Sequence, residues 1–228
     1  MNIKIIDNFL KTDEFNNLKN IFLSNSFNWC FDSYINTSGI DSRAIELTSN
    51  QPTVRSTSLS GRQQVRSFGG QFYTATITMP TMKEADLRRV YAFLIKQRGG
   101  KDSFTIAPNN LKLVSGTQGT SVGCGAGAIG ATTVALDSGT GLYKAGDMIR
   151  FLDSSDTTHD KAYMITVDQP GNTTITFEPP LVKAVSTNGL VKSGSEFEMR
   201  VRLIDDTISY DLDESGYGTL EFKIVEVV

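Results

Sequence analysis

From Gln71 to Met79 the chain alternates in character, with Tyr73, Ala75, Ile77 and Met79 to one side and Thr74, Thr76 and Thr78 to the other. Only an extended strand has a side-chain period of two, so this run must commit one face to a core and leave the other polar. Pro80 stops it. Thr81-x-x-Glu84 then reads as a capping box, in which each side chain meets an orphan backbone donor at a helix start. Leu87, Val90, Tyr91 and Leu94 share one helical face, and Gly99-Gly100 after Arg98 closes the helix, predicted over about 81–98. A second strand, Ser103 to Ala107, follows at once. Near the end, Phe197, Met199, Val201 and Leu203 alternate with Glu198, Arg200 and Arg202, and Leu220, Phe222 and Ile224 with Glu221 and Lys223. The expected class is mainly β, a β-sandwich with one α-helix, assembled from residues 41–112 and 195–228.

Between 113 and 194 the texture changes. Glycine, threonine and serine rise, and the β-branched runs Ala131–Leu136, Asp147–Leu152, Ala162–Val167 and Thr173–Phe177 are separated by turns. Short strands at this spacing predict a small inserted β-barrel-like domain. From Ser42 to Arg66 the chain is polar, carries Arg43, Arg55, Arg62 and Arg66, and signals strands only poorly. Residues 1–40 form a third texture, a short helical and aromatic arm. Phe15, Leu18 and Phe22 fall at helical spacing after Thr12 and Asp13, and Phe27, Trp29, Phe31 and Tyr34 follow closely. These four rings either close a satellite core or serve as anchors for a partner protein, since aromatic anchors dominate interface energetics. They are the candidate partner contacts.

Composition excludes several classes. With a net charge of -3, the chain lacks the surplus of Lys and Arg on which duplex affinity rests. No apolar run approaches the ~20 residues that cross a bilayer. Met1–Leu10 lacks the long apolar core of a secretion signal, so synthesis and assembly are expected in the cytosol. There, Cys30 and Cys124 are expected to stay reduced. The single histidine, His159, rules out His-pair metal sites.

The remaining chemical motifs dissolve on inspection. Gly125-x-Gly127-x-x-Gly130 has dinucleotide spacing, but Ala131–Leu136 after it reads as a strand, so no helix N-terminus meets a pyrophosphate. Asp211-x-Asp213-x-Ser215-Gly216 opens like a calcium loop, yet its twelfth position is Phe222 where a bidentate Glu is required. A polar hairpin turn is the simpler reading. His159 lies in a polar stretch read as an exposed loop tip, remote from either cysteine. Asp205 and Asp206 are adjacent and on a strand would face opposite ways. The expectation is therefore no catalytic residue, no cofactor and no metal: not an enzyme. The inserted region's aromatics, Tyr143, Phe151, Tyr163 and Phe177, define the alternative of another class, a carbohydrate-binding module.

A set of dispersed motifs carries a resemblance. Ser60-Gly61-Arg62, Gly69-Gly70-Gln71-Phe72-Tyr73, Met79-Pro80-Thr81-Met82, Ala92-Phe93-Leu94, Arg98-Gly99-Gly100 and Phe104-Thr105-Ile106, with Ala145–Ile149 and Ile175–Leu181 later, resemble tailed-bacteriophage tail proteins of the distal-tail or baseplate-hub type. The likeness covers about residues 45–228. It implies a structural component of the virion tail, assembled in the host cytoplasm. Its implied partners are copies of itself in a ring homo-oligomer, a hexamer, and other phage tail proteins, with neither membrane nor specific nucleic acid. A tail-tube or fibre adaptor is the alternative within the same class. Residues 1–38, through Ile6–Leu10 and Phe27-Asn28-Trp29, resemble the opening of phage iron- and 2-oxoglutarate-dependent oxygenases. The iron triad of those enzymes needs two histidines, so the resemblance implies a borrowed fragment without the catalytic site.

Overall fold

The computed structural model describes residues 43–67, 69–137, 141–153, 156, 158–170 and 174–227. The expected arm, with Phe27, Trp29, Phe31 and Tyr34, lies outside the described residues. The first part of the chain forms β1 (Ala44–Asn50), β2 (Thr53–Thr57), β3 (Gln63–Ser67), β4 (Phe72–Thr78), β5 (Met82–Lys83), helix α1 (Glu84–Lys96) and β6 (Phe104–Ile106). The middle forms β7 (Ser121–Cys124), β8 (Thr133–Ala135), β9 (Leu142–Tyr143), β10 (Met148–Leu152), β11 (Ala162–Ile165), β12 (Gln169–Pro170), β13 (Thr174–Glu178) and β14 (Gly189–Ser193). The last part forms β15 (Met199–Leu203), β16 (Tyr210–Leu212) and β17 (Tyr217–Glu226). Among the described residues the protein is mainly β with one α-helix, as expected.

Two principal sheets draw on separate stretches of sequence. The first runs β1-β4-β17-β15-β6, with β5 and β16 added to the two sides of β17. The second runs β7-β14-β10-β11-β13-β8, entirely from residues 121–193. In β4 the alternation of the sequence is realised: Tyr73, Ala75 and Ile77 are buried while the threonines between them are half-buried. β17 behaves likewise, burying Leu220, Phe222, Ile224 and Glu226.

The apolar side of the first sheet is covered by α1 through Leu87, Val90 and Leu94. Tyr91 sets its ring edge-on to Tyr210 at 4.8 Å, and Phe93 meets Phe104 at 5.4 Å. The helix starts later than its sequence predicts. Met82 and Lys83 pair with Gly218 and Tyr217 of β17, and the Glu84 N–H donates to the Gly216 carbonyl at 2.9 Å. A turn carbonyl thus meets the donor that Thr81 was expected to serve, Lys83 becomes the N-cap, and no side-chain cap forms. At the other end Gln97 and Arg98 donate to Leu94 and Ile95, and the backbone turns left-handed at Arg98 and Gly99. Glycine suits position 99, where φ is 65° and a Cβ would also crowd the Asp206 side chain.

The second sheet is sandwiched between two cores. Along β10 and β11, Ile149, Phe151, Tyr163 and Ile165 face the sheet's own cluster with Tyr143, Ile175 and Phe177. The alternate residues Met148, Ala162 and Met164 join the cluster of the first sheet. Both faces of these strands are therefore covered, which explains why β10 reads as a continuous Met-Ile-Arg-Phe-Leu run rather than a clean alternation. A turn was expected between Ala162–Val167 and Thr173–Phe177. Within it, β12 pairs with β9 as a separate ribbon.

Leu87→Ala and Leu94→Ala, at sites that are 0% and 1% exposed, should each cost ~2–5 kcal/mol. Urea unfolding midpoints measure this directly. Wild-type values for both would mean that α1 does not seal the first core.

Candidate interaction surface

Charged groups are expensive to bury, so those found between the sheets report how the two are held. Lys161, at the start of β11, is 1% exposed, and Glu226, at the end of β17, is 4% exposed. They form a salt bridge. Glu226 also accepts from the N–H of Ala162 at 2.7 Å and of Tyr73 at 3.1 Å, and Lys161 donates to Gln71 Oε1 at 2.9 Å. The ammonium lies 5.1 Å from the Tyr73 ring centre, a cation–π distance. Burial pulls the Lys161 pKa down, while Glu226 opposes that shift. Nearby, Arg150 of β10 bridges to Glu198, and Arg200 of β15 bridges to Asp160 at 3.2 Å. These ion pairs join residues of the two sheets and the segments leading into them, so the cluster anchors one sheet to the other.

His159 is not at an exposed loop tip, as its polar surroundings suggested. It is 2% exposed, its Nε2 lies 2.8 Å from Tyr163 Oη, and its ring stacks obliquely near Phe151. Burial pushes its pKa down. Asp153 beside it is also buried and accepts from the N–H of Ser186 at 2.6 Å and its hydroxyl at 2.9 Å.

The motifs set aside on sequence take structural roles. Gly127 exchanges backbone hydrogen bonds with Val185. A Cβ on it would lie 2.7 Å from Leu181. The strand β8 follows, with no helix N-terminus at the glycine run. Asp213 Oδ1 accepts from the N–H of Ser215 and Tyr217 at 2.9 and 2.8 Å, closing the β16–β17 turn. Phe222 of the would-be calcium loop is buried in β17. Cys124 is fully buried and its thiol is pushed up to about 12 by that burial. Asp205 and Asp206 occupy the bend after β15 rather than a strand, and Asp206 accepts from the Gly100 N–H at 3.4 Å.

What remains unabsorbed is the hairpin β2–β3. It prolongs the β1–β4 pair: Asn50 stands opposite Phe72 at the end of one ladder, and Thr53 opposite Ser67 at the start of the next. Pro52 interrupts the first arm, and Gly69 and Gly70, both at positive φ, interrupt the second. Every residue of both strands is exposed, including Val54 at 48% and Val65 at 61%, and Leu59 stands fully out at the tip. A hydrogen-bonded turn from Ser58 to Arg62 holds that tip, with Gly61 in the left-handed region. A two-stranded hairpin is marginal in water by itself, so this exposed ribbon on its base in the main sheet is the candidate contact surface among the described residues. Beneath it, a cleft of about 310 Å³ runs between Ser67, Gly70 and Gln71 and the loops at Gly130, Glu178 and Leu181. Sequence reasoning singled out this ribbon's three arginines, Arg55, Arg62 and Arg66, but missed the ribbon itself, whose alternation is blurred because no face meets a core.

Compared with protein-family models and with curated proteins, the chain shows no significant match.

Two measurements follow. Lys161→Ala, which leaves Glu226 buried and unpaired, should cost about 3–5 kcal/mol, and the Lys161→Met/Glu226→Leu pair should cost much less. Denaturant unfolding of the three proteins checks this, and a mild single-variant effect would mean that water reaches the pair. His159 is the only histidine, and its folded pKa lies below the unfolded value. The unfolded chain therefore binds its proton first, and stability should fall as pH drops below about 6.5. His159→Gln should flatten that limb between about pH 6.5 and 5, read from urea midpoints.

Proposed function

We propose that the protein is a structural component of a phage virion tail, a ring-forming protein of the distal-tail or baseplate type that joins the tail tube to tip or fibre proteins. The observation that carries this reading is the β2–β3 hairpin, ten strand residues all facing solvent on a base anchored in the main sheet. Such a ribbon gains stability by packing against a further surface, which a neighbouring copy supplies, and closed rings require each subunit to offer two different complementary faces. The assignment to a phage tail rests on the resemblance over residues 45–228, and a tail-tube or fibre adaptor would use the same surface. The carbohydrate-binding alternative loses support, because Tyr143, Phe151, Tyr163 and Phe177 are all buried and present no aromatic platform to a sugar. The test is negative-stain electron microscopy of the purified protein, with detection of the chain in purified virions. Rings are expected. A monomer at high concentration that is also missing from virions would overturn the reading.

A further inference from the structure

The hairpin's composition indicates what it meets. Residues 51–67 hold Arg55, Arg62 and Arg66, three of the chain's 22 Lys and Arg, and none of its 25 Asp and Glu. A strongly acidic stretch lies elsewhere in the same fold. No Lys or Arg occurs between Arg202 and Lys223, while Asp205, Asp206, Asp211, Asp213 and Glu214 do, all exposed. Asp206 and Asp213 are partly engaged with backbone N–H groups. Asp211 lies in β16, with Asp205 before it and Glu214 after it, and β16 pairs with β17 and with no other strand among the described residues. An unpaired strand edge is a template for a further strand, and the hairpin has unpaired edges of its own.

We propose that the β2–β3 hairpin of one copy docks on the acidic edge around β16 of the next copy. Arg55 and Arg66, on opposite faces of the hairpin, and Arg62 at its tip straddle that edge and pair with Asp205, Asp211 and Glu214, and backbone pairing along the strand edges fixes the register. The contact is head-to-tail, because the two patches are different surfaces of one chain, and a head-to-tail contact propagates into a ring or a filament. It rests on the reading of the protein as a self-assembling tail component and names the surfaces that reading needs. Because these charges are exposed, the association weakens as salt rises through the range where the screening length falls below about 10 Å.

The experiment is sedimentation velocity on the full chain at low salt, comparing wild type with R55E/R62E/R66E and with D205R/D211R/E214R. Each variant alone should raise the apparent dissociation constant of self-association by about tenfold or more, since several exposed ion pairs become repulsive. An equimolar mixture of the two variants should assemble again, because each reversed patch then finds its complement. Circular dichroism melts verify folding, and R55D/R62D/R66D, which keeps the reversed charge the mixture needs, replaces the first variant if the glutamates disturb it. Wild-type assembly matched by the hairpin variant overturns this contact and leaves the assembly reading intact. Loss in both variants without recovery in the mixture also overturns it. A wild-type chain that stays monomeric throughout sinks the assembly reading itself, and this contact with it.

Discussion

The salt bridge between Lys161 and Glu226 is the contact on which the arrangement of the two sheets depends. Each charge is desolvated almost completely, and such a pair is retained only where its remaining hydrogen-bonding capacity is filled. Here the carboxylate takes the N–H groups of Tyr73 and Ala162 as well as the ammonium, and the ammonium takes Gln71. One carboxylate thus ties β17, β4 and β11 together at the point where the main sheet meets the inserted strands. A slip of β11 by one residue would send Lys161 toward the opposite face and Tyr163 out of its aromatic cluster. The pair acts as a register lock, and the methionines and alanine beside it fill the space that the lock defines.

That rigidity gives the hairpin its meaning. Its base is the central ladder of the first sheet, held by β17 and covered by α1, so the ribbon projects from a fixed platform. The interruptions at Pro52 and at Gly69-Gly70 separate the buried ladder from the exposed one without ending the antiparallel pairing. Energy that a typical strand gains by burying one face is absent along β2 and β3, and an assembly contact supplies it in the proposed function.

Several misreadings share one physical cause. His159 was placed at a loop tip because Asp, Ser and Thr surround it, yet Thr158 and Asp153 bond to groups 25 and 33 residues away and His159 is buried. The capping box at Thr81 is locally sound, but a strand pairing with Met82 and Lys83 competes for the same residues and wins by adding to a sheet already formed. In each case a distant partner outweighed a local preference.

What the sequence determined by itself is the set of elements whose signal is local: the alternation in β4, β15 and β17, the apolar face of α1, and the glycine that ends it. Strand and helix periods follow from backbone geometry, so a dozen residues suffice to read them. The tertiary structure alone decided that Lys161 and Glu226, 65 residues apart, would meet. It also decided that β10 and β11 would serve two cores, and that β2 and β3 would be left outside both. Those outcomes depend on which surfaces come together in space, and burial and charge pairing are properties of that meeting rather than of any stretch of chain.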